Sequence, residues 1–492
     1  MFIHCNSHQQ YQIYMKKTFL LVVVLLISHI GLSQTSEQFF TQGEDKLRVK
    51  DYPGALAALN QAIELNPVHA KAYFIRGLVK VNLKDFEGAI VDFTTTIKFQ
   101  PNNEDAYHNI GVVKLTLKDF EGAIAEFNKA LEINPKYFKS YLDRGLAKHG
   151  LDDFQGAIDD YILATTINPG YEEAYYILGL EKEIMKDTIG AMSAYTKVLE
   201  INSKSEKALL KRARIKSKLI DYDGAIDDYT QVIKINPHNS EAYYNRGNAK
   251  VMLYNYKSAI SDYDKAIKIK PDSPKYYYRR GNSKEDLKKY DGALPDYSKA
   301  IEMQPNYEEA YYRRGNVKLA LQDYSGAITD YSKAIEINSN NLNALLNRGV
   351  SKAALKDYKG AIADYTTIIK SDTMLEKAYF NRGNAKANLN DQRGAIDDFS
   401  KVIEINPKNA DAYYNRAIDK NDIRDFKGAI EDYTKVIELI PRNSLAYYYR
   451  GLAKVSSGDK EGGCKDLNKA VEIGYEAAKF KLASLCDQTV FF

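Results

Sequence analysis

The chain has 492 residues with 69 Lys and Arg against 65 Asp and Glu, and its formal charge of +4 argues against a nucleic-acid binder that relies on bulk positive charge. A hydrophobic content of 45% and a charged content of 27% suit a folded protein, and 12 Pro and 29 Gly are too few for a fibrous or disordered chain. No linker rich in Pro, Gly or Ser interrupts the sequence, so something other than a string of separate domains must organise it.

The first predicted element is a secretory signal peptide. A Met-Lys-Lys sequence that starts at Met15 is followed by an apolar run over 18–30 and then by small residues, which is the order of such a signal. A run of that length is too short to span a membrane comfortably. We therefore predict cleavage after Ser33, no transmembrane anchor afterwards, and a location in the periplasm or at the cell surface. A buried or anchoring helix is the alternative, and the true start, Met1 or Met15, stays open.

An internal period of 34 residues organises the rest of the chain. The tripeptide Gly-Ala-Ile or a close variant begins at Gly54 and recurs without insertions to Gly462, and an Arg-Gly landmark repeats in the same register. Thirteen such units span 36–477, which indicates a stacked solenoid. Within a unit, apolar residues have helical spacing twice, and a proline such as Pro271 ends the second helix. Each unit is therefore predicted to be a helical hairpin.

Small and aromatic residues recur at fixed places in each hairpin. A Gly in the middle of the first helix is worse than Ala by about 1 kcal/mol. Its repetition therefore predicts that another backbone approaches closely there. An Ala near the start of the second helix, such as Ala327, is the expected small partner, and rings such as Tyr311 and Tyr331 are expected to fill the wider gaps of the core.

These residues resemble the tetratricopeptide repeat (TPR) family. Its signature joins an aromatic residue, a Gly four residues on, an Ala twelve later, a second aromatic, a small residue and a terminal Pro. One unit shows the match, with Ser in place of the proline: Tyr311, Gly315, Ala327, Tyr331, Ala334 and Ser339. The resemblance covers about nine tenths of the chain. It implies an all-α fold, a right-handed superhelical solenoid of thirteen 34-residue helix-turn-helix units with a C-terminal capping helix.

The predicted domain division follows the repeat. An N-terminal extension and signal peptide occupy 1–33, the solenoid occupies 36–477, and a capping helix with a tail occupies 478–492. Such a helix would cover the apolar end of the array. Cys464 and Cys486 lie near this end, and two readings stay open, a disulfide in an exported protein or two small buried thiols.

A charged pair recurs inside the repeat. Ten units carry Arg just before the Gly landmark, and all ten carry Asp sixteen residues later, as in Arg314 and Asp330. The three units without the Arg also lack the Asp, and such covariation predicts contact between the two side chains. We expect partly enclosed Arg–Asp pairs that join the two helices of each hairpin. A Lys in every unit, such as Lys318, is interpreted as an aliphatic cover whose ammonium lies near acids such as Asp323.

In the family, first helices line a concave groove, and the matching positions here change character along the chain. Early units carry apolar residues such as Ile75 and Leu146, which form either an apolar trough or core packing. For four cations over 207–218 a solvated face is the alternative to binding. The predicted peptide-binding residues are Lys207, Lys211, Arg214, Lys218, Tyr244, Asn245, Asn248, Lys275, Tyr278, Arg279, Asn282, Tyr312, Arg313, Asn316, Asn347, Lys377, Asn381 and Asn384.

The residue types in this set suit an extended peptide. An Asn side chain offers a donor and an acceptor together, which matches a peptide unit. The run is similar to the asparagine ladder of O-linked N-acetylglucosamine transferase, although nothing here resembles that enzyme's catalytic part. Asn245, Lys275 and Arg279 also fit half of the two-carboxylate clamp of chaperone adaptors, whereas Leu210 and Arg214 replace its first two members. We therefore expect a groove that prefers anions.

The sequence predicts no catalytic constellation and no cofactor site. It also predicts no metal site, because the histidines of the main body lack metal-ligand spacing. We predict an exported, non-enzymatic and monomeric interaction scaffold that binds an extended, acidic or carboxylate-bearing polypeptide in its concave groove and binds no nucleic acid. One alternative is a glycan-binding envelope component whose groove tyrosines stack on sugars. Another is a structural self-assembling rod. The sequence neither identifies the partner nor separates periplasm from outer surface.

Overall fold

The computed structural model describes residues 12, 14–18, 35–372 and 374–486. The predicted signal peptide lies largely outside these residues, as does the tail after Cys486. From Ser36 onward the described residues contain twenty-seven helices and no strand. They divide into two compact units, residues 1–235 and 236–492, which we call unit 1 and unit 2 and describe separately.

Unit 1 contains six helical hairpins. Their first helices are α1 (Ser36–Arg48), α3 (Ala70–Asn82), α5 (Glu104–Thr116), α7 (Phe138–Gly150), α9 (Glu172–Ile184) and α11 (Glu206–Lys218). Their second helices are α2 (Tyr52–Leu65), α4 (Phe86–Phe99), α6 (Phe120–Ile133), α8 (Phe154–Ile167), α10 (Thr188–Ile201) and α12 (Tyr222–Ile235). Each second helix packs on its own first helix and, within the unit, on the first helix of the next hairpin.

Unit 2 contains seven hairpins and a final helix. The first helices are α13 (Ser240–Met252), α15 (Pro274–Asp286), α17 (Glu308–Ala320), α19 (Leu342–Ala354), α21 (Glu376–Asn388), α23 (Ala410–Asp422) and α25 (Ser444–Ser456). The second helices are α14 (Tyr256–Ile269), α16 (Tyr290–Met303), α18 (Tyr324–Ile337), α20 (Tyr358–Ser371), α22 (Gln392–Ile405), α24 (Phe426–Leu439) and α26 (Lys460–Glu472), and the final helix is α27 (Ala478–Cys486). The predicted all-α architecture of hairpins is confirmed.

One turn geometry joins the two helices of every hairpin. Twelve first helices are followed by a non-glycine residue in the left-handed region, such as Lys118 with φ 63°, and the thirteenth by Gly458. The next residue caps the second helix; the Asp119 carboxylate, for example, accepts a hydrogen bond of 3.0 Å from the Gly122 N–H. The repeated turn therefore gives each hairpin the same form whatever residue occupies the strained position.

The repeated glycine of the first helix makes room for an aromatic ring. A Cβ placed on Gly145 would lie 2.4 Å from Cε1 of Tyr161, the fully buried ring of the same hairpin. The prediction that a backbone approaches this glycine is therefore wrong for most hairpins, because a flat ring occupies the space instead. Gly451 is an exception, since its Cβ would lie 2.9 Å from the carbonyl oxygen of Gly463.

The predicted Arg–Asp pairs form in all ten hairpins that carry both residues. Nε and Nη2 of each Arg lie 2.5–3.0 Å from the two oxygens of the buried Asp carboxylate. The repeated Lys of the same hairpins lies with Nζ 2.7–2.9 Å from one of these oxygens. Its ammonium therefore pairs with the Asp of the Arg–Asp pair, as Lys318 does with Asp330, and not with Asp323 as the sequence suggested.

The C-terminal end of unit 2 is cross-linked. Cys464 of α26 and Cys486 of α27 form a disulfide whose Cα atoms are 5.8 Å apart, which decides between the two readings that the sequence left open. The disulfide fastens the final helix to the last hairpin. Across the part of the chain that the structure describes, each helix is too short or too polar to cross a membrane.

Candidate functional site

The first helices of unit 2 form one continuous surface. From α13 to α23, each first helix contacts the first helix of the next hairpin, and we call the face that they present the first-helix surface of unit 2. It carries fourteen of the predicted residues: Tyr244, Asn245 and Asn248 on α13, Lys275, Tyr278, Arg279 and Asn282 on α15, Tyr312, Arg313 and Asn316 on α17, Asn347 on α19, and Lys377, Asn381 and Asn384 on α21.

The other four predicted residues lie on α11 of unit 1. Lys207, Arg214 and Lys218 are exposed and form no salt bridge with any described residue. Lys211 differs, because its Nζ lies 3.2 Å from Oε1 of Glu183 on α9. Of these four cations, one is therefore already neutralised within unit 1.

Several asparagines of the surface hold buried tyrosines of the second helices. Three pairs share a separation of 2.8 Å between the hydroxyl oxygen and Oδ1: Tyr263 with Asn248, Tyr297 with Asn282, and Tyr331 with Asn316. At Asn248 and Asn316 the hydroxyl takes the acceptor, and Nδ2 has no partner among the described residues. Both lone pairs of Oδ1 are used at Asn316, by Tyr331 and Asn347, and one is used at Asn248, so Nδ2 is the main hydrogen-bonding group left at these positions.

Other asparagines join neighbouring first helices. Nδ2 of Asn347 donates to Oδ1 of Asn316 at 3.0 Å, and Nδ2 of Asn415 donates to Oδ1 of Asn384 at 3.1 Å. Asn316 accepts the bond from Asn347 in addition to the one from Tyr331, whereas the second-helix ring in the hairpin of Asn384 is Phe399, which has no hydroxyl to donate. Part of the asparagine run thus has a structural role in the packing of consecutive hairpins.

Two cations of α15 lie against tyrosine rings and have no carboxylate partner. Nζ of Lys275 is 4.9 Å from the ring centroid of Tyr244. Cζ of Arg279 lies 5.9 Å from the ring centroid of Tyr278. Neither cation forms a salt bridge with any carboxylate in the described part of the chain. They therefore leave an uncompensated positive charge on the first-helix surface of unit 2.

The sequence prediction missed Glu285, which neutralises the cation on the next first helix. Oε2 of Glu285 accepts a hydrogen bond of 2.5 Å from the hydroxyl of Tyr297, and Oε1 lies 3.6 Å from Nη1 of Arg313. Burial, and then the Glu285 carboxylate, raise the pKa of Tyr297 well above its ordinary value. The tyrosine hydroxyl thus stays protonated and fixes the carboxylate beside Arg313.

The same arrangement occurs in unit 1. The hydroxyl of Tyr195 donates to Glu183 at 2.5 Å, and the same carboxylate pairs with Lys211. Glu183 stands three repeat lengths before Glu285, and its Tyr and Lys partners stand in the same register as Tyr297 and Arg313. This recurrence is the signal from which the sequence could have identified both glutamates.

Unit 1 also contains a buried polar cluster on α5 and α7. Nδ1 of His108 lies 3.0 Å from Oγ of Ser140, and Nε2 lies 3.6 Å from Oδ2 of Asp143. Burial lowers the pKa of His108 to about 4, whereas burial and then the Glu173 carboxylate raise the pKa of Asp143 to about 7. Ser140 is fully buried, so its hydroxyl is inaccessible to a substrate, and the cluster does not form a nucleophilic site.

Comparisons with known proteins identify the repeat. Family models described as tetratricopeptide repeat match residues 274–307, 308–341 and 376–409, residues 104–137 and 172–205, and residues 40–104, and a model described as TPR repeat matches residues 221–253 and 255–287. A search of curated proteins finds no match.

Among solved structures, the chain is similar to MamA, with 30% identity over 36% of this chain and 96% of that one and a TM-score of 0.33. It is similar to YrrB, titled a TPR protein with an unusual peptide-binding site, with 23% identity over 37% of this chain and 95% of that one and a TM-score of 0.36. The C-terminal part of a TPR repeat-containing protein from Cytophaga hutchinsonii shows 21% identity over 49% of this chain and 99% of that one and a TM-score of 0.44.

Proposed function

This chain belongs to the tetratricopeptide repeat family, and on that premise we propose that it is an exported, non-enzymatic scaffold that binds an extended polypeptide on the first-helix surface of unit 2. Proteins of the family mediate protein–protein interactions. The groups that bind the polypeptide are amide donors of the asparagines and the cations of α15. An acidic side chain or a carboxylate of the partner is selected by charge, and no chemical step follows.

The observation that carries this proposal is the state of Lys275 and Arg279. A long cationic side chain on a protein surface commonly pairs with a neighbouring carboxylate, yet these two rest on the rings of Tyr244 and Tyr278 without one. The rings restrict the motion of both cations, so less side-chain entropy is lost when an anion binds. The unpartnered Nδ2 groups of Asn248 and Asn316 add donors suited to peptide carbonyl oxygens.

The tyrosines of this surface favour a peptide over a glycan. A sugar stacks on an open ring face, but the ring of Tyr244 lies 4.9 Å from that of Tyr276 and beneath the ammonium of Lys275. The ring of Tyr278 similarly lies 5.0 Å from that of Tyr307. Because other side chains cover these rings, their contribution to binding is hydroxyl hydrogen bonding and the positioning of cations.

Export to the periplasm or the cell surface is part of the same proposal. It is supported by the order of charged, apolar and small residues before Gln34, and by the disulfide between Cys464 and Cys486, a bond that persists in oxidising compartments. We propose further that residues 36–477 act as one array, that 478–492 cap it, and that the mature protein is a monomer without affinity for nucleic acid.

A peptide-binding measurement tests the proposal. Fluorescence anisotropy would follow a labelled, C-terminally amidated nonapeptide of Ser and Ala with one central Glu, titrated with the mature protein. We expect saturable binding that weakens with added salt and falls at least about tenfold in the double variant K275Q/R279Q. The double variant K299Q/K333Q is the matched control, because it removes the same charge from second helices, where each Lys pairs with a nearby Glu. Absence of saturable binding, or equal loss in both double variants, would overturn the proposal.

A further inference from the structure

Within α13, α15 and α17, three consecutive first helices of unit 2, the cations without a salt bridge to a described residue are Lys275 and Arg279 of α15. Lys377 has the position of Lys275 three repeats later, on α21, and is also exposed without a salt bridge to a described residue. Lys275 and Arg279 stand one helical turn apart on that helix. The position of Lys275 carries Glu241 one repeat earlier, on α13, and Glu309 one repeat later, on α17, and both glutamates are exposed. An acidic residue therefore occupies, on each neighbouring first helix, the position that the Lys has on α15.

At the repeat position of Arg279, the neighbouring first helices α13 and α17 also lack an unpaired cation. One repeat earlier it carries Asn245, whose Nδ2 lies 3.5 Å from Oε1 of Glu241. One repeat later it carries Arg313, which is paired with Glu285. Glu285 has only 17% of its side chain exposed and is held by the Tyr297 hydroxyl, so it does not move aside readily for a competing anion. Over α13, α15 and α17 the surface charge therefore alternates from one first helix to the next.

From this alternation we infer that the partner presents a single acidic group to Lys275 and Arg279, with neutral or basic groups on both sides of it. Glu309 repels an adjacent acidic residue of the partner, and Glu285 neutralises Arg313 so that it does not attract one; the two glutamates together exclude a tract of consecutive acidic residues. This inference rests on the proposed function and narrows the class of ligand. The proposed function requires an acidic polypeptide, and the inference requires one whose acidic residue is isolated.

The spacing of the helices sets the length scale of the discrimination. Axes of packed helices are about 8–10 Å apart, and an extended peptide rises about 3.3 Å per residue. A ligand that crosses the first helices therefore advances about three residues from one helix to the next. In a run of six Glu, side chains three residues from the bound one lie near the acids of α13 and α17, and the Debye length of about 8 Å at physiological ionic strength leaves close repulsion largely unscreened.

The test compares two labelled, amidated peptides on the full mature protein. One is the Ser/Ala nonapeptide with a single central Glu, and the other carries six consecutive Glu residues that include the central one. On the unmodified protein we expect the single-Glu peptide to bind at least about threefold more tightly. In the double variant E285Q/E309Q, the six-Glu peptide should gain about tenfold in affinity and become the better ligand, while the single-Glu peptide changes by less than about threefold.

A matched control and distinct outcomes separate this inference from the proposed function. The double variant E302Q/E336Q removes the same charge from exposed second-helix positions, and it should leave the ratio of the two affinities unchanged. Tighter binding of the six-Glu peptide to the unmodified protein, or an unchanged ratio in E285Q/E309Q, would overturn the inference alone. If neither peptide binds, the proposed function fails and the inference fails with it.

Discussion

Arg314 and Asp330 form two parallel hydrogen bonds across their hairpin, with Nε 2.9 Å from Oδ2 and Nη2 2.7 Å from Oδ1. The remaining nitrogen of the same guanidinium, Nη1, lies 2.9 Å from Oγ of Ser298 on the second helix of the preceding hairpin. The guanidinium carbon also lies 5.7 Å from the ring centroid of Tyr311. Arg314 therefore joins three helices, and its contact with the preceding hairpin is one that covariation within the unit did not reveal.

Removing the carboxylate of this pair should destabilise the array strongly. In Asp330→Ala, the guanidinium of Arg314 and the ammonium of Lys318 would stay half-buried without a counterion, a loss that typically costs about 3–5 kcal/mol. Asp45→Ala removes the partner of Arg48 in an exposed pair and should cost less than about 1 kcal/mol. Urea unfolding followed by circular dichroism would compare the two variants. Equal shifts of the urea midpoint would contradict the conclusion that the Arg–Asp pairs are partly enclosed.

The hydroxyl of Tyr161 offers a test of the role given to the asparagines. It is buried without a hydrogen-bond partner among the described residues, and Leu146 stands where Asn248 serves the equivalent Tyr263. We expect Tyr161→Phe to raise the free energy of unfolding by about 1 kcal/mol, because an unsatisfied polar group is removed. Tyr263→Phe should lower it by about the same amount. Thermal unfolding of both variants would show whether the two changes in stability have opposite signs. Stabilisation by both substitutions would show that the contact with Asn248 does not contribute to stability.

Asp419 predicts a pH dependence of stability. Burial, and then the neighbouring Asp422, raise the pKa of its carboxyl from 3.8 to about 7, and its Oδ2 has no hydrogen-bond partner in the described part of the chain. The folded state therefore binds the proton more tightly than the unfolded state. As pH rises from about 4 to about 7 the unfolded chain loses this proton first, so stability falls across that window and then levels off.

Replacing Asp419 should remove its contribution to the pH dependence of stability. Other hairpins carry Ala at the same position, as at Ala249 and Ala385. We expect Asp419→Ala to stabilise the protein by about 2–4 kcal/mol at pH 8 and to have little effect at pH 4. Glu181→Ala is the contrasting variant, because Glu181 pairs with His149 at 2.9 Å, and it should destabilise. A difference between Asp419→Ala and the unmodified protein that does not grow with pH would contradict the assignment.

The repeat architecture could be predicted from the sequence because its determinants recur in all or most of the thirteen units. The fixed period, the helical spacing and the covariation of Arg with Asp identified the hairpins and the ion pairs. The partner of the repeated glycine could not be derived in this way. A small residue indicates close approach, but it does not say whether a ring or a backbone approaches, and the distance from Gly145 to Tyr161 was needed to decide.

The candidate site was predictable in composition but not in its charge balance. The sequence indicated that Lys275, Arg279 and Arg313 are cations of one surface, because their helical positions follow from the repeat. It did not show that Arg313 is neutralised, since Glu285 lies on a different first helix and is fixed by a tyrosine hydroxyl. Contacts between consecutive hairpins decide such questions, and a pattern read within one unit does not contain them.

Photo-crosslinking locates a polypeptide bound on the first-helix surface of unit 2. A benzophenone amino acid would replace Asn245 on α13 in one variant and Lys299 on the second helix α16 in another, and each would be irradiated with the labelled single-Glu nonapeptide. We predict attachment of the peptide at position 245, lost in high salt and in K275Q/R279Q, and none at position 299. Equal labelling at the two positions, or labelling at 299 alone, would contradict the account.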